Sequence, residues 1–164
     1  MAGQNTNPEG FILANEFFVF DASGNTSTPF AYSTECTLSL SSDTIETSNK
    51  MSGVWAAALP GQISWEVSTS ALYSTTAANS YNSLYDSVAH RTPYLLRIGR
   101  VQNYNNISDY TNASNYVLDA SAGFYEGYAY ITSLELNASN NEVASYSATF
   151  TGNGQLVYKT STSA

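Results

Sequence analysis

Few residues in this chain could do chemistry. It has one histidine, His90, and one cysteine, Cys36, among 164 residues. His90 falls beside Arg91 at the expected end of a helix, where positive charge suits the dipole but nothing orients an imidazole as a base. A solvated helix end is the favoured reading. Cys36 lies on the apolar side of an alternating stretch, which predicts a buried, inert thiol. The nucleophile elbow G-x-S-x-G, the zinc motif H-E-x-x-H, the P-loop and the turn G-x-G-x-x-G are all absent from the sequence. Metal binding asks for clustered Cys, His or acids, and no such cluster stands in the sequence. Asp43 and Glu46 lack the D-x-D-x-D-G order of a calcium loop, so solvated acids are the default. Thirteen acids permit many carboxylate pairs for glycosidic chemistry, but no spacing singles one out. No catalytic residue, metal or cofactor is expected.

Charge narrows the partners. Thirteen acids against five bases give a formal charge of −8, a field that repels nucleic acid. Arg91, Arg97 and Arg100 are close in sequence, while Lys50 and Lys159 stand apart, so the bases form no stripe. Thirteen tyrosines could build a sugar-binding face, although packing in cores and interfaces is their commoner use. Tyr81 and Tyr85 fit a helix stripe, and Tyr128, Tyr130 and Tyr146 fit strand faces. Glycosylation-type N-x-S/T matches at Asn25, Asn106, Asn112 and Asn137 are what chance gives in so Asn-, Ser- and Thr-rich a chain. The start, MAGQNTNPEG, carries no basic and apolar signal-peptide pattern, and no apolar run approaches a membrane span. A soluble protein made in a reducing cytoplasm is expected.

The elements that must position these residues are mostly strands. Residues 1–10 read as a flexible arm, and 11–21 as a strand broken by the turn ASGNTSTP. A strand runs from about 30 to 41, with Thr34, Cys36, Leu38 and Leu40 facing one way and Glu35, Thr37 and Ser39 the other. Residues 62–72 repeat the pattern, setting Ile63, Trp65, Val67 and Thr69 against Ser64, Glu66 and Ser68. Between the two lies a polar excursion, 42–61, ending in VWAAALPG. One helix, 79–90, has Tyr81, Leu84, Tyr85 and Val88 on a single stripe, with Asn79 or Ser80 as cap and Pro93 limiting its end. Strands follow at 94–102, around YVLDA, at 123–137, at 143–151 and near QLVYK, with an Asn-rich loop at 102–115. The last residues, 159–164, read as a mobile tail. The whole predicts one mainly β domain over 11–158, a barrel or sandwich with one flanking helix.

Strands 33–41, 62–70 and 143–151 each carry one face made almost wholly of Ser and Thr with an occasional Glu. An ordinary solvated sheet face carries Lys, Arg and longer acids. This one is short, hydrated and weakly negative, which suits either a passage wall or the solvent side of a low-charge protein.

The stretch AYSTECTLSLSSDTIETSNKMSGVWAAALPGQISWEVSTSALY resembles the major tail protein family of long-tailed phages, the tail tube proteins. The resemblance rests on an alternating strand, the segment with Glu46 and Lys50, then Trp55, Leu59-Pro60-Gly61, Ser64-Trp65 and Leu72-Tyr73. The strand PYLLRIGR and the ending GYAYITSLELNASNNEVASYSATFTGNGQL are similar to the rest of such a domain. The resemblance covers about 11–158, and the Asn-rich insertion at 102–115 departs from it. It implies a tail-tube type β-barrel or sandwich whose copies close into hexameric rings stacked as a tube in the virion. The excursion 42–61 would then be an inter-subunit loop, with Asp43, Glu46, Lys50, Trp55, Leu59 and Pro60 as its contact residues. Glu35, Thr37, Ser39, Ser64, Glu66 and Ser68 would face the lumen, and Cys36, Leu38, Trp65 and Val67 the core. Implied partners are the chain itself, a tape measure protein in the lumen, terminator and distal tail proteins at the ends, and DNA passing without specific binding. Assembly would occur in the bacterial host cytoplasm, and no membrane is implied. A carbohydrate-binding β-sandwich and a ring-forming tube protein of a contractile injection or secretion system remain alternatives, as does VWAAAL as a core segment.

Overall fold

The computed structural model describes residues 11–24, 26–76 and 79–160. The arm 1–10 and most of the expected tail lie outside them. Eight strands form one antiparallel sheet: β1 (Phe17–Asp21), β2 (Thr28–Pro29), β3 (Ser33–Glu46), β4 (Ala58–Leu72), β5 (Tyr94–Arg100), β6 (Phe124–Asn137), β7 (Ser145–Gly152) and β8 (Val157–Lys159). The order across the sheet is β2-β1-β5-β6-β7-β4-β3, with β8 paired to the start of β6. The mainly β fold with one helix is as expected. The sheet is open, and among the described residues no ladder joins β3 to β1. It curls far enough, however, that Cys36 Sγ on β3 lies 3.5 Å from the Phe17 carbonyl on β1.

The concave side of the curl holds the main core: Val19, Phe30, Trp65, Val67, Leu84, Leu96, Ile98, Tyr146 and Phe150 are all buried. Period-two alternation places the strand residues among them there, because successive side chains leave a strand on opposite faces. Trp65 fills the space beside β6 and β7 only because two glycines face it. A Cβ at Gly127 would meet the indole at 2.6 Å, and one at Gly152 at 2.2 Å. The indole Nε1 donates to the Gly154 carbonyl at 2.9 Å, so the buried polar edge is satisfied.

The helix α1 (Tyr81–His90) packs on this concave side. Leu84 is fully buried, and Tyr81 meets Tyr146 edge-on with centroids 6.1 Å apart. The rest of the expected stripe does not bury: Tyr85 is 59% exposed and Val88 40%. The stripe is broader than the sheet it rests on. No side-chain cap bond forms at Ser80, and the Asn79 amide donates to the Thr28 carbonyl instead. The helix ends with Arg91 in the left-handed region, φ 54°.

The Asn-rich segment has a structural task. Short 3-10 turns at Tyr104–Asn106, Ala113–Asn115 and Ala120–Ala122 fold it over the opposite face of β1 and β5. There Tyr104, Ile107, Tyr116 and Ala120 cover a second core of Phe20, Val101, Leu118 and Phe124. Asn112 and Asp119 each accept from the backbone two residues ahead, the turn chemistry that keeps such a segment in place. The strand expected at YVLDA is reduced to one bridge, Val101 to Leu118. The first strand also starts later than expected, at Phe17, after a 3-10 turn over Ala14–Glu16. Within that turn Glu16 is buried and pairs with Arg100 at 2.9 Å.

Candidate functional site: a bare polar face and a projecting hairpin

The segment roofing β1 and β5 leaves the same side of β6, β7, β4 and β3 uncovered. Register sets the uncovered side chains in rows across four strands. Ser39, Glu66, Thr151 and Tyr130 form one row, and Thr37, Ser68, Thr149 and Ser133 the next. Glu35, Ser70, Ser147 and Glu135 form a third. Ser41 and Ser64 pair beside them on β3 and β4. The six residues expected on one face therefore stand side by side. All are exposed except Ser68, which is half-buried. Their opposites divide in turn: Trp65 and Val67 are buried, while Cys36 and Leu38 are partly buried against the core. Burial, and then the neighbouring Glu35 charge, push the Cys36 thiol up, so it is poorly nucleophilic.

Sequence reading gave the Ser/Thr face of β7 and missed its continuation onto β6. Thr151 and Glu135 alternate correctly within their own strands. A bulge in β6 between Ile131 and Ser133 hides the alternation there. The bulged Thr132 turns its hydroxyl to within 3.0 Å of the Thr151 hydroxyl.

No Lys or Arg occupies the three rows. Arg97, on the neighbouring β5, is held at 2.6 Å by Glu126, which Lys159 also reaches at 2.6 Å. Burial works against the Glu126 charge, but hydrogen bonds from Lys159 and Arg97 outweigh it, and the carboxyl sits below its ordinary range. Arg97 also donates to Ser27 and lies over the Phe124 ring, 5.4 Å from its centroid. His90 is exposed at the helix end, its Nδ1 2.8 Å from the Asp86 carbonyl.

The stretch 42–61 is not a loop through its length. β3 continues to Glu46 and β4 begins at Ala58, so a β-hairpin extends beyond the body of the sheet. Asp43, Glu46, Leu59 and Pro60 belong to its strands, and Lys50 and Trp55 to its tip, 47–57. Pro60 is tolerated because β7 pairs with β4 only from Glu66 onward, leaving the outer edge of β4 free there. The ladder shifts between Ser42 and Thr44, and Gly61 makes room: a Cβ there would lie 3.1 Å from the Asp43 carbonyl. At the tip, Met51 N–H donates to Asn49 Oδ1 and Asn49 N–H to Ser52 Oγ.

This hairpin is greasy and uncovered. Leu40, Ile45, Leu59 and Ile63 are each more than half exposed, Trp55 is 81% exposed, and Val54 and Met51 almost entirely so. VWAAAL is therefore not a core segment of the lone chain. Leu40 and Ile63 were expected on the same side of their strands as Leu38 and Trp65. They are on the core side of their strands, but the hairpin carries them past the core. An uncovered apolar patch on one projecting element is the kind of surface that a partner can cover.

The tyrosines do not gather into one platform. Tyr104, Tyr110 and Tyr116 contact one another within the roofing segment, and the hydroxyls of Tyr110 and Tyr116 bond to its backbone. Among the described residues no group of three His, Cys, Asp or Glu could hold a metal, and no helix is long and apolar enough to cross a membrane.

The sequence profile of the family described as phage tail tube protein matches residues 16–158. No curated protein sequence matches the chain. A chain in the tail of an empty gene transfer agent particle, refined with C6 symmetry, superposes with a TM-score of 0.68 at 16% identity, over 91% of this chain and 99% of that one. The SPP1 tail tube gives 0.57 at 16% identity, over 91% and 79%. The baseplate of the anti-feeding prophage gives 0.58 at 12% identity, over 90% and 95%. At such identities these likenesses show the fold.

Proposed function

The chain belongs to the phage tail tube protein family and is a structural subunit of the virion tail, and from that premise we propose that six copies close into a ring whose bore is lined by β6, β7, β4 and β3. The observation that carries this reading is the bare face itself. It is polar, short in side chain and without Lys or Arg, and it ends in unpaired edges on both sides. β3 pairs only with β4, and β6 beyond Ala129 has no ladder on its β5 side among the described residues. Joining the β3 edge of one copy to the β6 edge of the next satisfies both rows of backbone groups and removes the free edges. The C6 symmetry of the gene transfer agent tail supports six as the copy number.

In that ring Glu35, Thr37, Ser39, Ser64, Glu66 and Ser68 face the lumen, and α1 lies on the far side of the sheet. DNA passes a hydrated wall that offers no cation to its phosphates. A tape measure protein occupies the bore before DNA does, and terminator and distal tail proteins close the ends. The subunit performs no catalytic step. Electron microscopy of concentrated protein tests the reading: stacked six-fold rings or hollow tubes are expected. A chain that stays monomeric in analytical ultracentrifugation, even with a tail-initiating complex added, overturns it.

A further inference from the structure

A cavity of about 860 Å³ lies between the chain around β2 and the Asn-rich segment that roofs β1 and β5. Its size is that of a small-molecule site. Most of its surface is apolar, with Pro29, Val117 and Leu118 among its walls, and hydroxyl and amide groups stand between them. Asn112 uses its Oδ1 within the segment, accepting from Ser114, and its NH2 has no partner among the described residues. Arg97 is the cation in the lining. Its guanidinium is fixed from three sides: Nε donates to Glu126, Nη1 donates to Ser27 Oγ at 2.9 Å, and the group lies over the Phe124 ring. Its Nη2 carries no hydrogen bond among the described residues. Lys159 shares Glu126, so two cations face one carboxylate and the group keeps a positive excess.

Tyr32 is the odd residue of this lining. It enters from the turn before β3, in the left-handed region at φ 56°, where glycine or asparagine sits with less strain. Its ring is 46% exposed and meets no other aromatic ring, and its hydroxyl bonds to nothing among the described residues. The fold itself gives no reason for a tyrosine there, and strain of this kind gathers at binding sites.

We propose that the cavity binds a uronic acid unit of a glycan, a pyranose carrying one carboxylate. A pyranose has an apolar C–H face and a rim of hydroxyls, the same division that this lining shows. The C–H face covers the free Tyr32 ring and the aliphatic walls. Ring hydroxyls meet the Asn112 amide and Ser27 Oγ. The carboxylate meets the free edge of Arg97, which is already aimed, so little side-chain freedom is lost on binding. A nucleic acid fits less well, since Arg97 is the single cation that the lining offers to its phosphates. The site adds a function to the tube reading and does not depend on it. Because the sheet curls until β3 reaches β1, the roofed side of β1 and β5 faces away from the bare side of β4 and β7. In the proposed ring the cavity therefore opens outward, where a tail meets the glycans of a cell surface.

Saturation-transfer NMR titrations of the unsubstituted subunit with methyl β-D-glucuronide and methyl β-D-galacturonide test this. At least one should bind saturably, with a dissociation constant on the order of 1 mM, as fits so small a ligand. The neutral methyl glucoside and galactoside should bind about 10-fold more weakly, having no carboxylate for Arg97. Two exposed positions separate binding from folding. Tyr32→Gly removes the ring and relieves the left-handed strain, so its melt should stay close to that of the unsubstituted chain while binding falls at least about 10-fold. Val117→Asp sets a negative charge in the cavity wall and should abolish uronide binding with the melt nearly unchanged. No saturable binding of either uronide overturns the proposal. Acetate that binds as tightly as the uronides reduces the site to an anion contact and overturns it too. Uronide binding untouched by both substitutions would put the sugar elsewhere on the chain, which is equally fatal.

Discussion

Two tryptophans in similar sequence settings have opposite fates, and the difference is testable. Trp65 is 4% exposed and bonded to Gly154, whereas Trp55 stands in solvent. Trp65→Ala removes a large buried ring and its hydrogen bond, at a cost of about 3–5 kcal/mol, and a thermal melt should show a fall of at least about 6 °C. Gly152→Ala attacks the same contact from the other side, since its Cβ would lie 2.2 Å from the indole. Overpacking there should cost about 1–3 kcal/mol. Trp55→Ala should leave the melt within about 0.5 kcal/mol and weaken polymerisation, read by turbidity or microscopy. Equal loss in both assays would place Trp55 in the subunit's own stability. Glu126 supplies a pH signature. Its folded carboxyl titrates below the ordinary value, so the stability it contributes is full above the unfolded pKa and is lost as pH falls through the folded one. Acid melts of Glu126→Gln should be flatter with pH than those of the unsubstituted chain in that acid window.

At the scale of elements, the alternation of β3, β4 and β7 was legible because one side of each is buried, and burial is what forces a period of two into a sequence. Cys36, Leu38, Trp65 and Val67 therefore separate from Glu35, Thr37, Ser64 and Glu66 on the residue pattern alone. The same reasoning fails beyond Ser41. The distal hairpin has no core beneath it, so nothing requires TIE and ALP to alternate, and Pro60 with Gly61 looks like a loop. The helix shows the reverse error: Tyr85 and Val88 satisfy a stripe that the sheet does not cover. The Asn-rich segment gave no warning of its role, because it has no period of its own and the strand it covers, with Phe18 and Phe20, is far away in sequence. One variant isolates the hairpin. Glu46 and Ala58 pair directly, so replacing Thr47–Ala57 by Asn-Gly gives a two-residue turn of the kind that hairpins favour. The shortened chain should fold with a melt near the original, because its core contacts are intact, and should form no tubes. Normal tubes from it would show that the tip is dispensable for assembly.

For the whole molecule, the decisive quantity is where its charges lie. A net −8 makes repulsion of DNA plausible but does not say which surface repels. The described residues keep Arg97, Arg100 and Lys159 in ion pairs outside the three polar rows, and those rows carry Glu35, Glu66 and Glu135. Glu66 is central, with Ser39 on one side and Thr151 on the other. It is exposed and lies on the opposite face from Trp65 and Val67, so Glu66→Lys disturbs no core contact and should leave the melt nearly unchanged. If the face lines the bore, the substitution puts six cations at one level of every ring. Each offers a phosphate contact to passing DNA, and the contacts repeat along the tube. Particles built with Glu66→Lys should therefore assemble to normal length and eject DNA more slowly. The delay should be larger at low salt, where attraction between charge and phosphate is least screened. A Glu66→Gln control removes charge without adding attraction and should eject at close to the normal rate. Ejection by Glu66→Lys particles at the normal rate at every salt concentration would mean that this face does not meet the DNA, and the bore would have to be formed by another surface of the subunit.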